Sequence, residues 1–219
     1  MSDASNIALK IRGLEFGYSK EPLLEIDELQ IQKGEHLAVI GPSGCGKTTF
    51  MHLVSGLMKP QVGTIEIQGC DITRLKEWEM DRFRGRSIGV VFQRLHLLSA
   101  ISVLNNLLLA QRLARMAPDK KKAMTLLDRL GIAAQAHSQP AILSQGQAQR
   151  AAIARAVIHN PSLVIGDEPT SALDNASAAD AIQLIKELSE SVGFALLIVT
   201  HDERVRSSMD RVLDLESQT

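Results

Sequence analysis

The chain has 219 residues, 45% hydrophobic and 22% charged, and its 24 lysines and arginines against 25 aspartates and glutamates leave a net charge of −1. That composition belongs to an ordinary globular chain of one-domain size, excludes a disordered one, and lacks the basic footprint that bulk phosphate-backbone binding demands. The longest uninterrupted apolar run, Phe194–Val199, is six residues, far below the roughly 18 a spanning helix needs.

The first elements read as β. Apolar and polar residues alternate over Ile7–Phe16 and Leu24–Ile31, and His36–Ile40 is a short apolar strand entering a glycine-rich turn. A helix is predicted over Lys47–Leu57, a strand over Thr64–Gln68 and a buried strand over Ser87–Gln93. From about residue 100 to 160 the spacing turns helical: Val103, Leu104, Leu107 and Leu108 recur on one face, as do Met124, Leu127 and Leu130. Then come a buried strand Leu163–Gly166, a helix Ala178–Val192, a buried strand Ala195–Thr200 and a last strand Arg211–Leu215. This order predicts an α/β core of mixed sheet with an antiparallel β part, and a helical insertion over residues 94–145. No repeat or linker divides it, so residues 1–219 read as a single domain.

Met1–Asn6 shows no basic segment followed by an apolar stretch, so a soluble, cytoplasmic chain is expected, with any membrane supplied by another polypeptide. Two cysteines, Cys45 and Cys70, form no CxxC motif, and six scattered histidines form no HxxxH pair, so no structural metal is expected. Lys120-Lys121-Lys122 reads as a solvated helix face.

Gly41-Pro42-Ser43-Gly44-Cys45-Gly46-Lys47-Thr48, followed by Thr49, fits GxxxxGK[ST] between an apolar strand and a helix. Glycines let backbone N–H groups converge on phosphate oxygens, and a helix N-terminus adds partial positive charge. Lys47 is placed to reach the β- and γ-phosphates, and Thr48 to hold Mg²⁺ through its hydroxyl. The loop therefore predicts nucleotide binding. Its companion is Leu163-Val164-Ile165-Gly166-Asp167, an apolar strand ending in a carboxylate that can orient Mg²⁺. Glu168 follows at once, where it can polarise a water for in-line attack on the γ-phosphate. Gly166 is read as a close-packing position.

Leu143-Ser144-Gln145-Gly146-Gln147 opens a predicted long helix shortly before the Asp167 strand. Here the sequence resembles the ABC-type ATPase family, whose signature is LSGGQ in that place. The resemblance runs from Tyr18 to His201. Tyr18 matches an aromatic that stacks on adenine, Gln93 the Q-loop, Ser171-Ala172-Leu173-Asp174 the D-loop and His201 the switch histidine. It implies that ATP and Mg²⁺ are the cofactors, with Gln93 contacting Mg²⁺ or the attacking water and His201 the γ-phosphate or that water. It also implies that Ser144, Gly146 and Gln147 clamp ATP held by the phosphate loop of a second copy, with Asp174 at that interface. The departure is Gln145, where the family carries its first signature glycine; turnover is the property it puts in question.

The stretch Trp78–Val103 and the run Asp167–Asp174 look like the branch containing lipoprotein-release, macrolide-export and cell-division ATPases. That resemblance implies a homodimer peripheral to the inner face of the membrane, beneath separate transmembrane subunits. The leucines after Gln93 suit a groove receiving a short helix from such a subunit. An importer ATPase shares the architecture and is the alternative. A soluble ABC-type ATPase acting on nucleic acid or ribosomes is the remote one, and the neutral charge argues against nucleic acid as a partner. Cys45, at a helix N-terminus inside the phosphate loop, is a position where thiol modification is expected to block the nucleotide.

Overall fold

The computed structural model describes residues 6–19, 21–171 and 173–216; Lys20, Ala172 of the D-loop match, and the terminal residues 1–5 and 217–219 lie outside them. In chain order the elements are strands β1 (Ile7–Phe16), β2 (Leu24–Gln32) and β3 (His36–Ile40), helix α1 (Lys47–Val54), and strands β4 (Val62–Ile67) and β5 (Cys70–Asp71). Helix α2 (Glu77–Ser87) and strand β6 (Ile88–Val91) follow, then helices α3 (Val103–Leu113), α4 (Lys120–Arg129) and α5 (Gln145–Val157). The chain closes with β7 (Leu163–Asp167), α6 (Asn175–Val192), β8 (Ala195–Val199), α7 (Glu203–Ser208) and β9 (Arg211–Asp214).

Alternation along β1 and β2 buries one face of an antiparallel sheet ordered β2-β1-β4-β5. The other sheet is parallel, ordered β6-β7-β8-β3-β9. β7 and β8 read as continuous apolar runs because both their faces are covered. Leu163, Ile165, Leu197 and Val199 face Phe50 and Leu53 of α1 and the antiparallel sheet. Val164, Leu196 and Ile198 belong to a second core with Ile153 and Val157 of α5 and Ile182 and Ile185 of α6. Each such buried side chain contributes roughly 1.5–3 kcal/mol. Three layers result, with the parallel sheet in the middle.

The strand order positions the site. β7, β8 and β3 are adjacent and parallel, so their carboxyl ends share one edge, where open α/β sheets bind ligands. Gly41 follows β3, Asp167 ends β7 and His201 lies just past β8.

Three elements escaped the sequence pattern. α2 is mostly charged and fully buries only Met80, so it shows no apolar stripe. α7 spans six residues and β5 two, too short for a period to register. α1 stops at Val54, three residues before the expected end, with Gly56 at φ +66° closing it. α6 starts earlier than expected, at Asn175, because Asp174 caps it: its Oδ1 accepts from the Ala176 and Ser177 N–H groups. Gln93 lies two residues beyond the end of β6. Gly166 does sit in a tight place, since a Cβ there would lie 3.2 Å from the Pro169 ring.

Candidate active site

The turn between β3 and α1 needs its glycines. Gly41, Gly44 and Gly46 have φ of +149°, +86° and +98°, a region that penalises any side chain. A Cβ on Gly41 would also fall 2.5 Å from the Cys45 sulfur, and one on Gly46 would fall 2.9 Å from Leu24. Gly46 is the N-cap of α1, and no side chain caps that helix. Its first N–H groups are therefore left for an external acceptor, and their positive end selects an anion. Lys47 folds over the same turn, its ammonium donating to the Gly41 and Pro42 carbonyls, each at 2.7 Å. Two neutral carbonyls are weak partners for a cation, so phosphate oxygens would outcompete them. The Cys45 thiol turns inward against Gly41 and the core.

The acidic side is built by β7 and β8. Asp167 is half-buried, and burial first, then the neighbouring Glu168, raise its pKa, with His52 opposing. A carboxylate so destabilised gains from a cation beside it. Glu168 takes φ +46°, strained for a residue with a side chain, and its N–H donates to the Val199 carbonyl at 2.9 Å. That turn aims its carboxylate along the end of β8. One oxygen accepts from the Thr200 hydroxyl at 3.1 Å, and the other meets His201 Nδ1 at 2.5 Å and the His201 N–H at 3.2 Å. The His201 ring remains largely exposed while Glu168 is largely buried.

Tyr18 is held at the rim. The Gln61 side chain bonds both the N–H and the carbonyl of Gly17 at 2.9 Å, fixing the loop before it. Its hydroxyl and that of Thr49 share a hydrogen bond at 3.2 Å, and its ring meets Phe16 edge-on at 5.2 Å. The residue is 72% exposed, so a ring face is free.

A cavity of about 870 Å³ joins these parts, bringing Tyr18, Gly41, Pro42, Ser43, Gly44, Gly46, Lys47, Thr48 and Thr49 together with Glu168 and His201. That is the volume of a small-molecule site. Gln93 and Asp167 are not part of its lining, and neither are Ser144, Gly146, Gln147 and Asp174. Ser144 caps α5 instead: its Oγ accepts from the Gln147 N–H at 3.3 Å, and Gln147 Oε1 accepts from the Ser144 N–H at 3.0 Å.

Sequence reasoning missed Thr200 and Asp202. Thr200 joins Glu168 directly, and its hydroxyl accepts from the Asp202 N–H at 3.0 Å. Asp202 accepts from the Thr170 hydroxyl at 3.2 Å and from Arg204, whose bonds lead the causes holding its pKa at about 2. A polar residue closing an apolar run, as Thr200 does, was the available signal.

Residues 24–171 match the family model described as ABC transporter. The chain is 41% identical over 201 residues to the lipoprotein-releasing system ATP-binding protein LolD of Legionella pneumophila (strain Paris), covering 91% of this chain and 88% of that protein. It is 38% identical over 198 residues to the bacitracin export ATP-binding protein BceA of Halalkalibacterium halodurans, covering 89% and 78%. A dimeric, post-hydrolysis structure of an ATP-binding cassette bound to ADP and Pi superposes with a TM-score of 0.82 at 32% identity, over 94% of this chain and 93% of that one. The cbiO1 structure from Clostridium perfringens superposes with a TM-score of 0.86 at 29% identity, over 95% and 84%.

Proposed function

This chain belongs to the ABC transporter family and is an ATPase, and from that premise we propose that it drives a separate transmembrane subunit of an export, lipoprotein-release or mechanical-signalling complex. The observation that carries the reading is the shared cavity in which the uncapped end of α1 faces Glu168 and His201. Relatives named for lipoprotein release and bacitracin export support the branch.

In this reading the N–H groups at the start of α1 and the Lys47 ammonium bind the phosphates, and Tyr18 offers its free ring for the base to stack on. Mg²⁺, when bound, would neutralise charge on the β- and γ-phosphates; the exposed Thr48 hydroxyl and the destabilised Asp167 carboxylate fit it as ligands, with Gln93 alongside. Glu168 accepts the proton of the attacking water, and His201 steadies the γ-phosphate or that water. Thr200 and the His201 N–H hold the Glu168 carboxylate in place. Ser144, Gly146 and Gln147 stand outside the cavity of their own copy, so we assign them to the nucleotide of a second copy, with Asp174 at the contact. A two-fold pairing of that kind closes on two ATP molecules, and a dimeric cassette among the solved relatives supports it.

We read residues 1–219 as one ATPase domain carrying residues 94–145 as its helical insertion. Among the described residues no helix is long and apolar enough to cross a membrane, and we place the chain on the inner face of the membrane through its partner. A groove of about 730 Å³ between α2, the end of β6 and α3 is the docking place we assign to that partner. Trp78, Leu98, Leu109 and Leu113 supply much of its apolar lining, and Arg82, Arg84, Arg115 and Arg155 outnumber Asp81 along it. This balance fits a short apolar segment bearing an acidic residue.

The test is purification of the Glu168→Gln form from membranes in the presence of ATP. We expect hydrolysis to fall by about two orders of magnitude or more, nucleotide binding to persist, and a membrane protein with few helices and a large outer domain to co-purify. Normal hydrolysis would refute Glu168 as the base. A many-helix permease with a solute-binding protein would move the assignment to import.

A further inference from the structure

The loop from Phe92 to Ser102 carries Gln93, and it is pinned at two points. At the first pin stands Arg155, in the last turn of α5. Its guanidinium is partly buried, and it donates to two successive carbonyls of the loop, Leu95 at 2.9 Å and His96 at 2.5 Å. Among the described residues no carboxylate forms an ion pair with it, and burial alone lowers its pKa. His96 adopts φ +48°, and its ring meets Phe92 edge-on at 5.2 Å. A residue with a side chain holds such a conformation only when its surroundings over-determine it.

At the second pin Asn106, buried on α3, accepts from the Leu98 N–H at 2.8 Å and donates to the Leu98 carbonyl at 3.2 Å and the Ser102 carbonyl at 3.0 Å. Next to the first pin, β6 and α5 touch through backbone: a Cβ on Gly89 would lie 2.2 Å from the Ala156 carbonyl. The strand that leads into the Gln93 loop therefore lies against the turn that carries Arg155.

We propose that Arg155 is a positioning residue for hydrolysis, locking the Gln93 loop to the helix whose other end carries Ser144 and Gly146. Gln93 and that signature segment then move as one body when the chain closes on nucleotide. The inference rests on the reading of Gln93 as a residue of the hydrolysis step. Arginine is suited to it because its planar fork presents two donors at once, where lysine presents a single point of attachment. A partly buried cation whose hydrogen bonds go to two loop carbonyls, and to no carboxylate among the described residues, is placed to fix that loop.

The test uses the full chain and the substitutions Arg155→Met, Arg155→Lys and Gln93→Ala. Mg-ATPase kcat and KM are measured beside binding of a fluorescent ADP analogue and thermal melting. For Arg155→Met we expect kcat to fall about tenfold or more, with ADP affinity within about twofold of the parent chain. Arg155→Lys should recover part of kcat. An unchanged kcat in Arg155→Met overturns the proposal, and so does a parallel loss of ADP binding, which would mean general disruption. If Arg155→Met does not fold, Arg155→Lys decides: reduced kcat with intact ADP affinity supports the proposal, and any other result overturns it. Gln93→Ala separates the two levels. An unchanged kcat there removes the reading of Gln93 and the proposal with it, whereas a loss there beside a normal Arg155→Met overturns the Arg155 role alone.

Discussion

Two helix N-termini in this molecule are built to opposite plans. At α1 the N-cap is Gly46, no side chain returns to the backbone, and the first N–H groups open on a cavity with Lys47 beside them. At α5, Ser144 and Gln147 satisfy each other's backbone N–H groups in a reciprocal cap outside that cavity. An uncapped helix end at the edge of a parallel sheet is an anion site complete within one copy. A capped end with an exposed Ser144 and Gln145 is stable by itself, and its proposed task begins only when a second molecule presents a ligand. In the proposed reading, the difference separates nucleotide binding, which one chain can perform, from turnover, which needs the pair.

Substituting Lys47 is the strongest way to break the open end. Lys47→Met removes the charged donor and should weaken binding of a fluorescent ATP analogue roughly 10- to 100-fold, the worth of a hydrogen bond to a charged group. A titration showing less than about a twofold change would mean that the phosphates lie elsewhere.

Ser144→Ala probes the closed end. Loss of the cap should cost about 1 kcal/mol, visible in calorimetry as a melting temperature lower by about 2–4 °C. Nucleotide affinity of the single chain should hold while steady-state hydrolysis drops. Equal losses in both would erase the distinction between the two ends.

Gln145→Gly is the smallest perturbation. The Gln145 side chain is exposed at the first position of α5, and a Cβ at neighbouring Gly146 would meet open space, so this copy has room for the larger residue. Stability should change by less than about 1 kcal/mol, affinity should stay level, and turnover should stay level or rise. A large fall in kcat would give the glutamine a function of its own.

The parts of the site that were legible in the sequence are those made of near neighbours. The phosphate loop depends on glycines with positive φ, and Gly41, Gly44 and Gly46 sit at the spacing the turn demands. Asp167 and Glu168 were visible because a buried strand must end where charge begins. α2 was hidden because its packing rests on few side chains amid charge. Arg155 was hidden for a different reason: its partners are backbone carbonyls of residues 95 and 96, and carbonyls have no sequence signature. The Cys45 thiol, read from its place in the loop, turns out to face the core against Gly41. The same sulfur lies 3.9 Å from the Lys47 ammonium, so an alkyl group on it would press on the phosphate loop.

By itself the sequence determined the local chemistry: a turn that leaves amide groups free, a lysine and threonine at the start of a helix, a carboxylate pair closing an apolar strand. Such features need only residues a few positions apart, and backbone sterics dictate which types can stand there. The tertiary structure alone decided that Gly41, Glu168 and His201 share one cavity, because their meeting depends on β7, β8 and β3 lying side by side. Strand order is settled by burying both faces of the parallel sheet at once, a condition spread over the whole chain.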